Sequence, residues 1–141
     1  MILLDTNVLS ELMRPVPNET VLAWLDRHTG EGVFVSAITE AEILRGIALL
    51  PDGKRRAVLA EIANNLFAED FADHRLPFDS PSARSYAELT AYRTRAGRPI
   101  SIEDAQIAAI ALRHALTLAT RNTRDFVAIV GLTVVNPWLY E

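Results

Sequence analysis

Short apolar runs alternate with longer stretches of helical periodicity, and Gly, Pro, Ser and Asn positions separate them. The apolar runs predict strands at 1–4, 33–35, 74–78, 116–119 and 132–135, although Pro77 weakens the third of these. Helical spacing predicts helices that cover about 6–13, 18–30, 36–50, 54–71, 80–96, 101–115 and 125–130. Strands separated by helices imply right-handed crossovers. We therefore expect an α/β fold with a mostly parallel central sheet of about four to five strands, flanked by helices.

The starts of two helices carry capping signals. Ser36 or Thr39 begins the helix over 36–50, and Thr39 and Glu42 have the spacing of a capping box. Ser101 and Asp104 repeat that spacing at the start of the helix over 101–115. The latter helix is aliphatic almost all round, which predicts a central position.

Composition restricts the class of protein further. The chain has 141 residues, which predicts one domain over 1–141. It has no cysteine, so disulfides, thiolate metal sites and cysteine nucleophiles are excluded. The longest aliphatic run, Ile107 to Leu112, is far too short to span a bilayer, and Asp5 stands where an export signal needs basic residues. We therefore expect a cytoplasmic protein with no membrane partner.

The charge balance gives no simple indication of a partner. The formal net charge is −4, which counts mildly against a nucleic-acid binder. Of the 14 basic residues only Lys54 is a lysine, and several of the arginines cluster, as around Arg93, Arg95 and Arg98. Arginine presents a planar fork that matches phosphate, although each arginine alone is equally well read as a solvated surface cation.

Four carboxylates occupy strand ends or the first turns of helices. Asp5 follows the first strand, Asp104 lies in the first turn of the aliphatic helix, and Asp125 follows the loop after the strand at 116–119. Glu42 lies on the helix after the second strand, where Glu40 is a rival acid that periodicity alone does not eliminate. Each of the four also has a structural reading, because acids cap helices and complement the helix dipole.

Their joint placement favours a shared site. The carboxyl ends of parallel strands meet at one edge of a sheet, where open α/β folds place their sites. Clustered carboxylates repel one another, and oxygen ligands without His or Cys suit Mg²⁺ or Mn²⁺. Such ions serve phosphoryl transfer, in which they activate water and stabilise charge on the phosphate. The chain has no serine-hydrolase elbow, Walker loop or dinucleotide-binding glycine pattern.

Four segments in this order resemble the motifs of the PIN-domain family. They read MILLDTNV at 1–8, SAITEAEI at 36–43, IEDAQIAA at 102–109 and TRNTRDF at 120–126. The resemblance covers essentially the whole chain and is greatest to VapC-type toxins of type II toxin–antitoxin systems. The opening Asp-Thr-Asn and the closing Asn136-Pro137-Trp138 resemble the FitB-like branch of these toxins.

This resemblance implies a Mg²⁺- or Mn²⁺-dependent endoribonuclease that hydrolyses RNA phosphodiesters, with tRNA as one candidate substrate. Carried over residue by residue, Asp5, Glu42 and Asp104 are the expected metal ligands, which favours Glu42 over its rival. Family members differ at the fourth acid, so either Asn122 or Asp125 completes the site.

The resemblance also implies supporting groups and partners. Thr6, Thr120 and Asn122 are expected to support the acids, and Arg93, Arg95 and Arg98 are candidate RNA contacts. The expected partners are an RNA substrate, a second copy of the chain and a VapB/FitA-like antitoxin, through which operator DNA is bound. An alternative function remains, because Asn122 brings no charge. In that alternative the chain is a catalytically weak binding module that acts with its antitoxin as a DNA-binding repressor complex.

Overall fold

The structure, a computed structural model, describes residues 1–140. Five strands form one parallel sheet in the order β3-β2-β1-β4-β5. Their bounds are β1 Ile2–Leu4, β2 Val33–Ser36, β3 Arg75–Leu76, β4 Thr117–Ala119 and β5 Val134–Val135. The predicted α/β fold with a parallel sheet is therefore confirmed.

At least one helix lies between each strand and the next along the chain. Their bounds are α1 Thr6–Leu12, α2 Glu19–His28, α3 Ala37–Ala48, α4 Lys54–Asn65, α5 Ser80–Arg95, α6 Ile102–Arg113 and α7 Thr123–Phe126. A π-helical turn at Leu66–Asp70 continues α4, so the helix predicted over 54–71 is present but changes its winding near its end. Short 3-10 turns follow α2 at Thr29–Glu31 and close the described chain at Pro137–Leu139.

The central strand β1 divides the core into two layers. Ile2 and Leu4 point to one layer and Leu3 to the other, because successive side chains of a strand point to opposite faces. The first layer packs against residues of α1 to α4, and the second against α5, α6 and α7. Helix α6 is buried on nearly all sides, as its aliphatic composition predicted.

The edge elements are shorter than predicted. The strands at 74–78 and 132–135 are reduced to two residues each, and both lie at the edges of the sheet. Pro77 follows β3 directly and has no N–H to extend its ladder. The helix predicted over 125–130 is wrong in its bounds. It begins at Thr123 and ends at Phe126, and Ala128 has a φ of 64°, a conformation that an α-helix does not contain.

Helix α3 is capped by Ser36, and the alternative cap at Thr39 is wrong. The Ser36 hydroxyl accepts a hydrogen bond from the backbone N–H of Thr39 at 3.0 Å. Thr39 is therefore inside the helix, where it is fully buried. The capping box between Thr39 and Glu42 is accordingly absent, which leaves the Glu42 carboxylate free for another partner.

Within residues 1–140, no helix is both long enough and apolar enough to span a bilayer.

Candidate active site

Asp5 lies at the carboxyl end of the central strand and is buried, with 4% of its surface exposed. One carboxylate oxygen caps α1 by accepting the Thr6 N–H at 2.8 Å. The other accepts the Thr120 hydroxyl at 2.7 Å and the Asn7 side-chain amide at 3.2 Å. Burial raises the pKa of Asp5 above its ordinary value, these hydrogen bonds act in the opposite direction, and the Asp125 carboxylate adds to the rise. Asp5 is thus held in one orientation by two separate segments of the chain.

Asn7 joins those two segments, and it is a residue that the motif reasoning did not assign to the site. Its side-chain amide donates to Asp5 and also to the Thr120 hydroxyl, at 3.2 Å in both cases. Its side-chain carbonyl accepts the backbone N–H of Arg121 at 3.1 Å. Asn7 therefore ties the start of α1 to the loop that follows β4. The available signal was its place two residues after Asp5, at a helix start beside a strand end.

Glu42 is oriented by Thr6. The Thr6 hydroxyl donates to the Glu42 carboxylate at 2.7 Å and lies 3.0 Å from the Thr39 hydroxyl. Since a hydroxyl has one proton to donate, the Thr39 hydroxyl is the donor in the second contact. The rival acid Glu40 instead forms an ion pair with Arg75 at 2.8 Å. Glu42 thus remains without a cationic partner among residues 1–140, beside the first turn of α1.

The pKa of Asp104 depends on its burial and on the other carboxylates of the site. This pKa is raised to about 6, mainly by burial and in addition by the nearby charges of Asp5, Asp125 and Glu42. A hydrogen bond with Ser101 acts in the opposite direction, and the Ser101 hydroxyl also caps α6 by accepting the Asp104 N–H at 3.3 Å. The other three acids singled out from the sequence therefore lie within electrostatic reach of Asp104.

The loop after β4 supplies the remaining groups. Thr120 is fully buried, and its hydroxyl accepts the backbone N–H of Asn122 at 3.0 Å while donating to Asp5. The Asn122 carbonyl accepts the N–H of Asp125 at 3.0 Å. Asp125 carries its carboxylate on the exposed side of α7, whereas the Asn122 side chain makes no capping hydrogen bond there.

The donor set fits a hard divalent cation. All four acids offer oxygen ligands, and burial together with the charges of the other three acids raises the pKa of Asp104 to about 6. In residues 1–140 no three His, Cys, Asp or Glu side chains converge as a preformed metal cluster. A bound ion would therefore have to draw the carboxylates closer together.

Arg93, one of the candidate RNA contacts, forms hydrogen bonds inside the protein. It is buried, and its guanidinium donates to the carbonyl of Arg98 at 2.7 Å and to the carbonyl of Asp125 at 3.3 Å. It thereby ties the turn after α5 to α7. The sequence held a signal for this, because Arg93 shares one helical stripe with the buried Leu89 and Ser82. Arg95 and Arg98, the other two candidates, are exposed.

The comparisons with known proteins agree with the fold. The family model described as PIN domain matches residues 2–132. Toxin FitB of Neisseria gonorrhoeae (strain ATCC 700825 / FA 1090) is 49% identical over 138 residues, which cover 98% of this chain and 99% of that protein. VapC ribonuclease Y4jK of Sinorhizobium fredii (strain NBRC 101917 / NGR234) is 44% identical over 138 residues, with 98% of each chain covered.

A solved structure extends this similarity to three dimensions. It is described as FitAB bound to an IR36 DNA fragment, and it is 48% identical to this chain with a TM-score of 0.90. The match covers 100% of this chain and 98% of the other.

The buried position of Arg93 generates a prediction for stability. Replacing Arg93 with Met leaves the carbonyls of Arg98, Asp125 and Val127 without this donor, so we expect the free energy of unfolding to fall by about 2–3 kcal/mol. The matched change Arg95→Met alters an exposed arginine of the same helix and is expected to stay within about 0.5 kcal/mol. Urea denaturation of both variants measures the difference, and equal losses would contradict the assignment of Arg93 as a buried tie.

The raised pKa of Asp104 generates a second prediction, which applies to the metal-free protein. Because the folded state raises this pKa from 3.8 to about 6, the wild type loses stability as the pH rises through that interval. Asp104→Asn cannot ionise, so it is expected to exceed the wild type by about 1–2 kcal/mol at neutral pH and to match it near pH 4. Thermal unfolding in EDTA across this pH range measures the difference. A variant that is less stable at neutral pH would rule out uncompensated repulsion at Asp104.

Proposed function

Because this chain belongs to the PIN-domain family, we propose that it is a metal-dependent endoribonuclease that acts as the toxin of a toxin–antitoxin pair. The observation that carries this proposal is the placement of acids at the carboxyl edge of a parallel sheet, where Thr6 hydrogen-bonds to both Asp5 and Glu42, and Asp104 and Asp125 line one cleft. The name of the relative VapC ribonuclease Y4jK supports the same reaction class.

In this proposal Asp5, Glu42 and Asp104 bind a divalent cation, Mg²⁺ or Mn²⁺. When bound, such an ion neutralises charge on the scissile phosphate and lowers the pKa of water. The protein's own part begins with orientation. Thr120 and Asn7 fix the Asp5 carboxylate through hydrogen bonds of 2.7 and 3.2 Å, and Thr6 fixes Glu42. Prealigned acids need no rearrangement of their hydrogen bonds when charge develops on the phosphate.

We assign Asp125 rather than Asn122 as the fourth acid of the reaction. Its negative charge raises the pKa of both Asp5 and Asp104, whereas the Asn122 amide brings no charge to the site. An exposed carboxylate at this position is suited to accept a proton from the attacking water. Attack of water on phosphorus then breaks the bond to the 3′ oxygen, which leaves a 5′-phosphate and a 3′-hydroxyl.

The partners we propose follow from the relatives. FitB has been solved together with FitA on a DNA fragment, so we propose an antitoxin of the VapB/FitA type for this chain. Operator DNA would be bound through that antitoxin, and the toxin itself would form a homodimer in the cytoplasm. Among RNA substrates, tRNA is the first to test.

A second candidate function is a binding module without turnover. The absence of a preformed ligand cluster within residues 1–140 favours this reading, as does the uncharged Asn122. In that case the chain contributes to repression by binding its antitoxin, and the acids serve only to hold a cationic segment of that partner.

The purified, antitoxin-free protein is the material for the deciding experiment. We expect it to cleave RNA with Mn²⁺ or Mg²⁺, to lose cleavage in EDTA, and to leave 5′-phosphate ends. Asp5→Asn and Asp104→Asn are expected to lower the rate by about 100-fold or more, since each removes a charge that the reaction uses. Labelled tRNA and total RNA, resolved on denaturing gels, provide the measurement.

Glu103→Gln is the matched control for this experiment. Glu103 is the exposed neighbour of Asp104 in the first turn of α6, so its neutralisation is expected to leave the rate unchanged. Full activity in both site variants would eliminate the nuclease proposal. A folded wild type that cleaves nothing with either ion, yet binds its antitoxin on DNA, would favour the binding module.

A further inference from the structure

We propose that the cleft beside Asp104 and Asp125 is a subsite for an RNA backbone phosphate, and that Arg98 and Arg124 are its contacts. This inference rests on the proposed nuclease function and identifies how an acidic chain holds an anionic substrate. It also assigns different roles to Arg93, Arg95 and Arg98, the three arginines named in the sequence analysis.

The cleft adjoins the acids directly. It has a volume of about 390 Å³, which falls within the usual size of ligand pockets. Asp104 and Asp125 lie on one part of its wall. The other lining residues are Arg93, Arg98, Pro99, Ile100, Ser101 and Arg124. One opening therefore presents both the proposed catalytic acids and three guanidinium-bearing side chains.

Arg98 and Arg124 stand out among the arginines because they are the two exposed ones that line the cleft. Both are exposed, and neither forms an ion pair with any residue in the range 1–140. Four arginines pair with carboxylates among residues 1–140, as Arg75 does with Glu40 and Arg113 with Asp79, and the other exposed arginines without an ion pair lie outside the cleft. An unpaired guanidinium beside a cleft keeps all of its donors available to a planar or tetrahedral oxyanion.

Arg93 holds both contact residues in place. Its guanidinium donates to the carbonyl of Arg98, and its own carbonyl accepts the Arg98 N–H at 2.9 Å. It also donates to the carbonyl of Asp125, which is the residue after Arg124. The two arginines that we assign to phosphate therefore lie on segments joined through one buried side chain, so the width of the cleft is fixed.

Electrostatics favours a phosphate as the occupant. A phosphodiester that reaches the acids brings neighbouring phosphates of the same strand with it, and the carboxylates repel them. Two unpaired cations at the cleft offset this repulsion where the strand must pass. A carboxylate of a bound peptide would use the same donors, and the experiment below separates the two occupants.

Binding of a fluorescently labelled single-stranded RNA oligonucleotide tests the subsite. The measurements use the Asp5→Asn background, which leaves the cleft lining intact and prevents turnover, and follow anisotropy at several salt concentrations. We expect Arg98→Ala and Arg124→Ala each to weaken binding by about tenfold and to lower the salt slope by about 0.7. Arg95→Ala, which changes an exposed arginine outside the cleft, is expected to leave both quantities unchanged. Arg98→Lys is expected to keep part of the affinity that Arg98→Ala loses, because lysine retains the charge without the planar fork.

The possible results separate this inference from the nuclease proposal. Equal losses in the Arg98, Arg124 and Arg95 variants would indicate diffuse attraction and overturn the subsite. Unchanged RNA binding would overturn it as well, and a selective loss of binding to a carboxylate-terminated antitoxin peptide would then assign the cleft to a protein partner. If a wild type without cleavage still shows the expected pattern of RNA binding, the nuclease proposal fails and the phosphate subsite stands.

Discussion

The burial of carboxylates at the carboxyl edge of the sheet, with the repulsion between their charges added to it, is the constraint on which the site depends. Asp5 cannot leave the edge, because it ends the fully buried strand β1 and caps α1 with the same side chain. Neighbouring side chains stabilise these acids with hydroxyl and amide donors rather than with cations. Thr120 and Asn7 donate to Asp5, and Thr6 donates to Glu42. These neutral donors fix the acids but leave their charge in place, which is the condition for attracting an external cation.

The topology distributes these contributions widely along the sequence. The side chains at this edge come from the ends of β1 and β4 and from the starts of α1 and α6, over more than 100 residues. Only a parallel sheet with helical crossovers brings such distant positions to one edge. The buried core therefore positions the site, since Leu3 and Leu4 pack within it and hold the strand that ends directly before Asp5. The same geometry gathers the acids at an edge where burial and nearby charges raise the pKa of Asp5 and of Asp104.

The sequence predicted those features that depend on interactions between residues close in the chain. Alternating apolar runs and helix-capping residues predicted the parallel sheet and the position of Asp5, because both depend on residues close in the chain. Periodicity did not separate Glu42 from Glu40, since the deciding contacts come from Thr6 and Arg75, both more than 30 residues away. The early end of α7 at Phe126 was likewise hidden, because no glycine or proline marks the left-handed turn at Ala128.

Arg93 shows why a cluster of like residues is a poor guide to function. In the sequence it is one of three neighbouring arginines, but helical geometry turns it inward while Arg95 and Arg98 remain exposed. A buried guanidinium is tolerated here because main-chain carbonyls accept hydrogen bonds from its N–H groups, and such acceptors leave no trace in the sequence. Net charge is equally uninformative about binding in this chain. Only four of the thirteen arginines pair with a carboxylate among residues 1–140, so the arginines that matter to an anionic substrate are distinguished by their place beside the cleft and not by the lack of a partner.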